Sequence, residues 1–494
     1  MLHNKIQSLD DLETCVDKWV QSKDFAQALS SMQLLVEVFL SHSGNDAAIF
    51  GEPRLDALCQ KIGLEIYKHK GLTEVACQRE EDTVVYIATE LYHSGGHTAV
   101  LEDFILLQPN KRHIILITHL YQVSPMKKIE ARFAHLPVTL VWAPSLSLTD
   151  KVLWLFDQIQ TYRPNRIFLL NHHQDCVAIA ALQPEIHPEV FFYHHADHNL
   201  CLGVHVPHFL HIDPHPMGYH NCRNNLGIEN NIYWPLIVVD QGVRPTEIPF
   251  LKHGKLKTCS SGSAPKFEDP YLYQYANLVP KLIERTKGLH LHIGPLSPST
   301  LESINERIIQ RGLSPDQFIH FPWVKSVWQT LIDEQVDLYI ASFPHGGGKV
   351  SIEAMGSGTP VAVHSHYKSQ FLGGECLVYP EGFCWRKPEQ LLTYVENLTA
   401  SSLKDQSVCA RLHYERYHQP QILEKELQKT TLDSIGLPPP SLPCFQKDDF
   451  QIALEASLTY DTIHKKLIER ESIKQSLSWR LTAPLRQLKR LFYG

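Results

Sequence analysis

Apolar positions in the first part of the chain recur at three- and four-residue spacing. Leu12, Val16 and Trp19 form one set, and Leu29, Met32, Leu35 and Val36 form another. That period is the apolar stripe of an amphipathic helix. Ser8, followed by Asp10 and Asp11, offers an N-cap for the first one. From residue 83 the pattern changes. Short apolar runs at 83–89, 113–118, 138–142, 166–170 and 190–193 alternate with stretches of helical character. Runs that are apolar throughout read as strands buried on both faces, and their alternation with helices predicts a doubly wound parallel sheet. The alternation restarts at 256–260 and continues through 290–293, 318–321, 336–342 and 361–364. Between the two series, residues 223–250 carry Asn224, Asn225, Pro235, Pro245 and Pro249 and read as a linker. The predicted class is α/β, with two Rossmann-like doubly wound domains over 79–245 and 246–425. A helical N-terminal extension over 1–78 precedes them, and a helical C-terminal tail over 426–494 follows the break at Pro438, Pro439, Pro440 and Pro443.

Composition narrows the function. The 494 residues are too many for one core. A net charge of -7 argues against a general nucleic-acid binder. Eleven cysteines without a CxxC pair suggest reduced thiols rather than a disulfide framework. No secretory signal is expected from residues 1–13, and no run approaches the ~20 apolar residues needed to span a bilayer. Histidine is abundant, at 29 residues, and many of them cluster.

The densest chemistry lies over 336–364, VDLYIASFPHGGGKVSIEAMGSGTPVAVH. A strand is followed by the turn Gly346-Gly347-Gly348-Lys349, a helix bearing Glu353, the stop Gly358-Thr359-Pro360 and another strand. Glycines let backbone N–H groups approach a phosphate, and a helix N-terminus adds about half a positive charge. Lys349 offers a full one. Glu353, one helical turn beyond Lys349, is placed to accept hydrogen bonds from the two hydroxyls of a ribose.

The sequence Glu353-Ala354-Met355 with Gly358-Thr359-Pro360-Val361 resembles the nucleotide-sugar motif of GT-B glycosyltransferases of the glycogen-synthase-like group. Those proteins carry two glutamates separated by seven residues, and His345 stands in place of the first here. The phrase FPHGGGK is also similar to the donor loop of bacterial protein N-glycosyltransferases, which share the fold. The resemblance implies a nucleotide-sugar donor, a UDP-sugar favoured, and neither metal nor other cofactor. It assigns Glu353 to the ribose, Lys266 in the loop 261–266 to the diphosphate, and Trp323 or its neighbours to the base, with a place in the core the alternative for Trp323. The last residues, SWRLTAPLRQLKRLFYG, resemble the C-termini of bacterial surface-polysaccharide glycosyltransferases. The unpaired cysteines suggest a cytoplasmic enzyme; this resemblance implies a glycan, lipid-linked or protein acceptor and peripheral contact with an anionic membrane through 479–494, with packing of that helix on the protein the alternative.

In GT-B enzymes that invert, the catalytic base is often a histidine on the loop after the first strand. The stretch ELYHSGGHT therefore makes His97, and also His93, candidates, with helix capping or turn filling the alternative role for His97. Asn171-His172-His173-Gln174-Asp175 closes a further strand. His194, His195, Asp197 and His198 follow the apolar run 190–193, and His205, His208, His211, Asp213, His215 and His220 come after. A histidine near its ordinary pKa of about 6.5 suits removal of a hydroxyl proton, and an adjacent aspartate can orient the ring. A metal site is the competing reading. The residues are spread over strand and loop without an HExxH pair, so no metal is expected. The resulting expectation is transfer of a sugar to an acceptor hydroxyl, as in surface glycan synthesis, catalysed by one of His97, His195 and His198 with Asp197. Lys266, Gly346, Gly347, Gly348, Lys349 and Glu353 would hold the donor. Competing readings are protein N-glycosylation, a metal-dependent hydrolase built on the histidines, a binding protein without activity, and a sugar-nucleotide epimerase.

Overall fold

The computed structural model describes residues 8–42, 45–72, 79–93, 95–184, 189–429 and 439–442. Most of the helical tail expected over 426–494, including 479–494, lies outside the described residues.

Two parallel sheets are present. The first contains β1 (Glu80–Ala88), β2 (Arg112–Ile117), β3 (Val138–Trp142), β4 (Pro164–Leu170), β5 (Val190–Tyr193), β6 (Phe209–Asp213) and β7 (Ile232–Tyr233), in the order β3-β2-β1-β4-β5-β6-β7. The second contains β8 (Lys257–Ser261), β9 (Leu289–Ile293), β10 (Phe318–Phe321), β11 (Leu338–Ile340), β12 (Val361–His364) and β13 (Phe383–Trp385), in the order β10-β9-β8-β11-β12-β13. The central strands are buried along most of their length because helices cover both faces; β2, for example, is buried from His113 to Ile117. In each sheet the strand order reverses beside the first strand, between β1 and β4 and between β8 and β11. Ligands of doubly wound folds bind at the carboxyl ends of the strands at that reversal.

The sequence reading placed the linker too early. Helix Pro216–Asn224 and strand β7 both fall within or against the stretch expected to be linker, and β7 pairs with β6. The polar residues there act as anchors rather than turn formers. Asn231 donates from Nδ2 to Asp213 Oδ2 at 2.8 Å and to the Tyr219 carbonyl at 3.0 Å, which ties the edge strand down.

The N-terminal helices Leu9–Gln21, Phe25–Ser41 and Pro53–Lys70 form where the periodicity places them. Ser8 caps the first, accepting from the Asp11 amide at 3.1 Å. Pro53 opens the third, and Gly71, in the left-handed region at φ 68°, closes it. Their apolar faces share one core with β1, β2, β5 and helix Cys176–Ala181. Buried Asp56 accepts the amides of Gly203 (2.6 Å) and His205 (2.8 Å), so the extension also supplies polar partners to the first domain.

The two domains are joined by an apolar cluster that contains Met217 and Leu236 from one side and Cys376 and Leu377 from the other. After the second sheet, helices Ala400–Tyr417 and Pro420–Leu427 return toward the first domain. His418 donates from Nδ1 to the Leu236 carbonyl at 2.7 Å, and Arg166 donates to the Leu427 carbonyl at 2.8 Å. Among the described residues no helix is long and apolar enough to cross a membrane.

Candidate active site between the two domains

The loops that follow β1, β5 and β6 face those that follow β8, β9, β10 and β11 across a cleft of about 480 Å³. From the first domain come Gly95, Gly96, His97, Tyr193, His195 and His215, and from the second Gly262, Lys266, Trp323, Gly347, Gly348 and Lys349. Two helices open onto this cleft. Helix Gly96–Leu106 starts on Gly95, whose φ of 135° suits only glycine, and helix Gly348–Gly356 starts on Gly347. Neither has a side-chain cap. First-turn amides point out of a helix and carry partial positive charge, so each of these ends can receive an anion.

The glycine loop divides its work. Gly347 and Gly348 lie in the cleft wall, whereas Gly346 does not. Its amide donates to the Leu372 carbonyl at 2.8 Å, and a Cβ there would fall 2.2 Å from the Gly373 carbonyl oxygen. Gly346 is required for chain packing rather than for access to a ligand. A Cβ on Gly347 would stand 3.3 Å from Lys266 Nζ, which places the lysine ammonium over the loop. Lys266 Nζ also donates to the Gly346 carbonyl at 3.3 Å, and burial lowers its pKa. Lys349, read from the sequence as a free cation, instead forms an ion pair with Asp103 of helix Gly96–Leu106. It spans the gap between the domains.

Glu353, part-buried in helix Gly348–Gly356, is not in the cleft wall. Burial raises its carboxyl to about 7, against the pull of Lys349. Trp323 lines the cleft and is 73% exposed, so it is no core residue. His345 pairs with Asp269 at 2.8 Å and does not reach the cleft.

The candidate bases separate. His97 and His195 both line the cleft, their rings 4.4 Å apart, with His172 beside them at 5.6 and 6.2 Å. His97 Nε2 meets the Leu170 carbonyl at 3.2 Å, so that nitrogen carries the proton and Nδ1 keeps its lone pair. His195 Nδ1 faces the Tyr193 carbonyl at 3.4 Å, which leaves Nε2 as the basic atom. Burial, reinforced by neighbouring histidines, holds both neutral; His97 is lowered to about 3 and His195 well below its ordinary value. His93 is exposed outside the cleft.

The sequence reading of Asp197 and His198 needs correction. His198 packs edge-on against His173 at 5.1 Å, away from the cleft wall. Asp197 is buried and receives His215 Nδ1 at 2.6 Å. Burial opposes charge on His215, but Asp197 outweighs it, so the pKa rises above its usual value. His215 thus forms the His–Asp pair of this cleft. It was missed because its partner lies 18 positions earlier and the two meet only across neighbouring strand ends. Asp103 was missed for the same kind of reason. Asp175, in the stretch 171–175, is structural: it caps helix Cys176–Ala181 and accepts from Thr89 (2.7 Å) and Thr118 (2.8 Å). Separation along the chain also concealed that His194, His211, Asp213 and Cys222 converge beneath the cleft.

No protein-family model matches this sequence, and no curated protein matches it either. Solved structures do. HepE of Anabaena in complex with UDP is 14% identical and aligns over 70% of this chain and 98% of its own, with a TM-score of 0.54. The apo lipopolysaccharide outer core galactosyltransferase WaaB is 14% identical over 70% and 97%, with a TM-score of 0.52. A glycosyltransferase from Rickettsia africae is 11% identical over 70% and 96%, with a TM-score of 0.51. The chain has the fold these proteins share, the GT-B arrangement of two Rossmann-like domains about a cleft.

Proposed function

We propose that this protein is a glycosyltransferase that moves a sugar from a nucleoside-diphosphate sugar, with UDP as the favoured nucleotide, to an acceptor hydroxyl. The observation that carries the reading is the uncapped start of helix Gly348–Gly356 at Gly347, facing the interdomain cleft directly beneath Lys266. Main-chain amides and the lysine receive the diphosphate, where charge builds as the sugar–oxygen bond breaks. Glu353, part-buried on the same helix behind the cleft wall, would have to reach past that wall to accept the ribose hydroxyls, and exposed Trp323 meets the base. The fold shared with HepE, solved with UDP, supports the same nucleotide here.

On the opposite wall His195 Nε2 takes the proton of the acceptor hydroxyl as its oxygen attacks the anomeric carbon. The diphosphate departs with the bonding pair. His97 packs on His195 and fixes its ring. His215, whose pKa Asp197 raises against the effect of burial, faces Gly348, where a Cβ would lie 3.8 Å from its Nε2. There it steadies the leaving group. A surface glycan or its lipid-linked precursor is the proposed acceptor. The metal-dependent hydrolase would need an ion on His97, His172 and His195, whose ligand atoms come together at the cleft, since the His, Asp and Cys donors lie buried off it; it has less in its favour because the fold is shared with glycosyltransferases.

A thermal-shift screen against UDP, GDP, ADP and dTDP and their sugars tests the reading. A ligand at one hundred times its Kd stabilises by about 2.7 kcal/mol. UDP and a UDP-sugar are expected to raise the Tm, and Glu353→Ala to abolish that rise. His195→Ala is expected to lower turnover of the donor by about 10²-fold or more with donor affinity retained. No shift with any nucleotide overturns the proposal.

A further inference from the structure

Beneath the cleft, four donor atoms meet at one point. His194 follows β5, and its amide donates to the Ile212 carbonyl of β6 at 2.8 Å. His211 and Asp213 are two apart on β6, hence on one face of the sheet. Cys222 comes from helix Pro216–Asn224. Their separations are similar in every pair. His211 Nε2 lies 3.0 Å from His194 Nδ1 and 3.1 Å from Asp213 Oδ1, and His194 Nδ1 lies 3.3 Å from that oxygen. Cys222 Sγ stands 3.6, 3.5 and 3.5 Å from His194 Nδ1, His211 Nε2 and Asp213 Oδ1. None of the four residues is more than 2% exposed.

Six such edges describe a tetrahedron. With zinc bonds of about 2.0 Å to nitrogen and oxygen and about 2.3 Å to sulfur, tetrahedral geometry puts the N and O ligands about 3.3 Å apart and sulfur about 3.5 Å from each. Hydrogen bonding alone serves these atoms poorly. Two neutral imidazoles, a carboxylate and a thiol bring at most three protons to six contacts. His194 Nε2 and His211 Nδ1, on the outer sides of the rings, have no hydrogen-bond partner among the described residues. A cation at the centre turns all four inner lone pairs to use at once. The charges also close: a divalent ion with one carboxylate and one thiolate is neutral, which is what a fully buried site requires. Asp213 Oδ2 is held by Asn231 Nδ2 at 2.8 Å, the kind of outer contact that orients a ligating carboxylate.

We propose that His194, His211, Asp213 and Cys222 bind one structural zinc ion. All four positions are taken by protein, so the site leaves no opening for water or substrate. Its place in the fold gives it a purpose. His195 is the next residue after one ligand, and Pro214 and His215 follow another, all three in the cleft wall. The ion ties β5, β6 and helix Pro216–Asn224 together where they present those side chains. This inference stands apart from the sugar-transfer reading, since it concerns only the first domain and its metal content.

Elemental analysis of the full chain, grown with zinc and exhaustively dialysed, is expected to give about one zinc per molecule. Replacement by Co²⁺ is expected to give the intense visible bands of tetrahedral cobalt and a near-ultraviolet sulfur-to-cobalt band. Cys222→Ser should lose the sulfur band, whereas His97→Ala, in the cleft, should keep it. The wild-type metal content and cobalt spectrum need no variant, so a misfolded Cys222→Ser leaves the test intact. Substoichiometric zinc with a weak octahedral cobalt spectrum, or a sulfur band that survives Cys222→Ser, overturns the proposal.

Discussion

A histidine's role here is set by what surrounds its ring. His290 and His292 share the Tyr275 hydroxyl at 2.7 and 2.8 Å, and His364 meets the Tyr271 hydroxyl at 2.7 Å. Burial lowers all three to about 3, and they are neutral packing residues. His97 is lowered as far, yet lines the cleft beside His195. Residue type and the direction of the pKa shift are the same in both cases, so neither reveals the difference. The place of Lys266 in the cleft wall was legible because its setting is local, the loop that follows a strand, whereas Glu353, on the helix after the glycine turn, does not line the cleft. Glu353 also carries a pH test. Its carboxyl sits at about 7 through burial, and a ribose needs the ionised form as acceptor. Donor affinity should therefore rise from pH 6 to 8 and level off above. The sign for stability is opposite: a raised carboxyl contributes stability below its unfolded value that is lost as pH climbs through about 7. Calorimetric titration of UDP against wild type and Glu353→Gln checks the binding sign. The nucleotide's own ionisation is common to both proteins, and only the wild-type excess belongs to Glu353. Parallel pH profiles for the two proteins would remove Glu353 from the site.

Elements were easiest to read where one period runs without interruption. The long N-terminal helices and the apolar strands fall within a few residues of their predicted places. Strand β7, of two residues, gave no periodic signal and was taken for linker. What periodicity could not show is where the helical extension docks. Helix Pro53–Lys70 meets helix Cys176–Ala181 so closely that a Cβ on Gly63 would fall 1.9 Å from the Ala180 carbonyl oxygen. Tyr67 donates to the Ala181 carbonyl at 2.8 Å in the same contact. Gly63→Ala must push two backbones apart, and overpacking of this kind costs about 1–3 kcal/mol. Urea unfolding followed by circular dichroism should show that loss. Unchanged stability would mean the extension is loosely held.

At the scale of the molecule, the Lys349–Asp103 pair is a charged contact between the cores of the two lobes at the cleft. Burial pushes the Asp103 carboxyl up while Lys349 draws it down, so removing the lysine leaves a carboxylate poorly solvated. If Lys349 also reaches the diphosphate, Lys349→Ala should weaken UDP binding about tenfold, or ~1.4 kcal/mol. Asp103→Asn, which frees the lysine, should leave it unchanged or tighter. Equal losses in the two variants would show that the lysine acts only by holding the lobes together. Calorimetry on both proteins makes the comparison.

The order of apolar and polar residues was enough to determine two doubly wound sheets, the helices before them and the glycine loop suited to a phosphate. Those features arise from periods of two to four residues and from backbone freedom at single positions, both of which are written locally. Tertiary structure alone decided that Asp197 serves His215, that Lys349 is paired with Asp103, and that two histidines, an aspartate and a cysteine meet at one buried point. Each of these joins residues on different strands, loops or helices. Their proximity follows from parallel strand order and from the docking of two lobes, neither of which leaves a pattern along the chain.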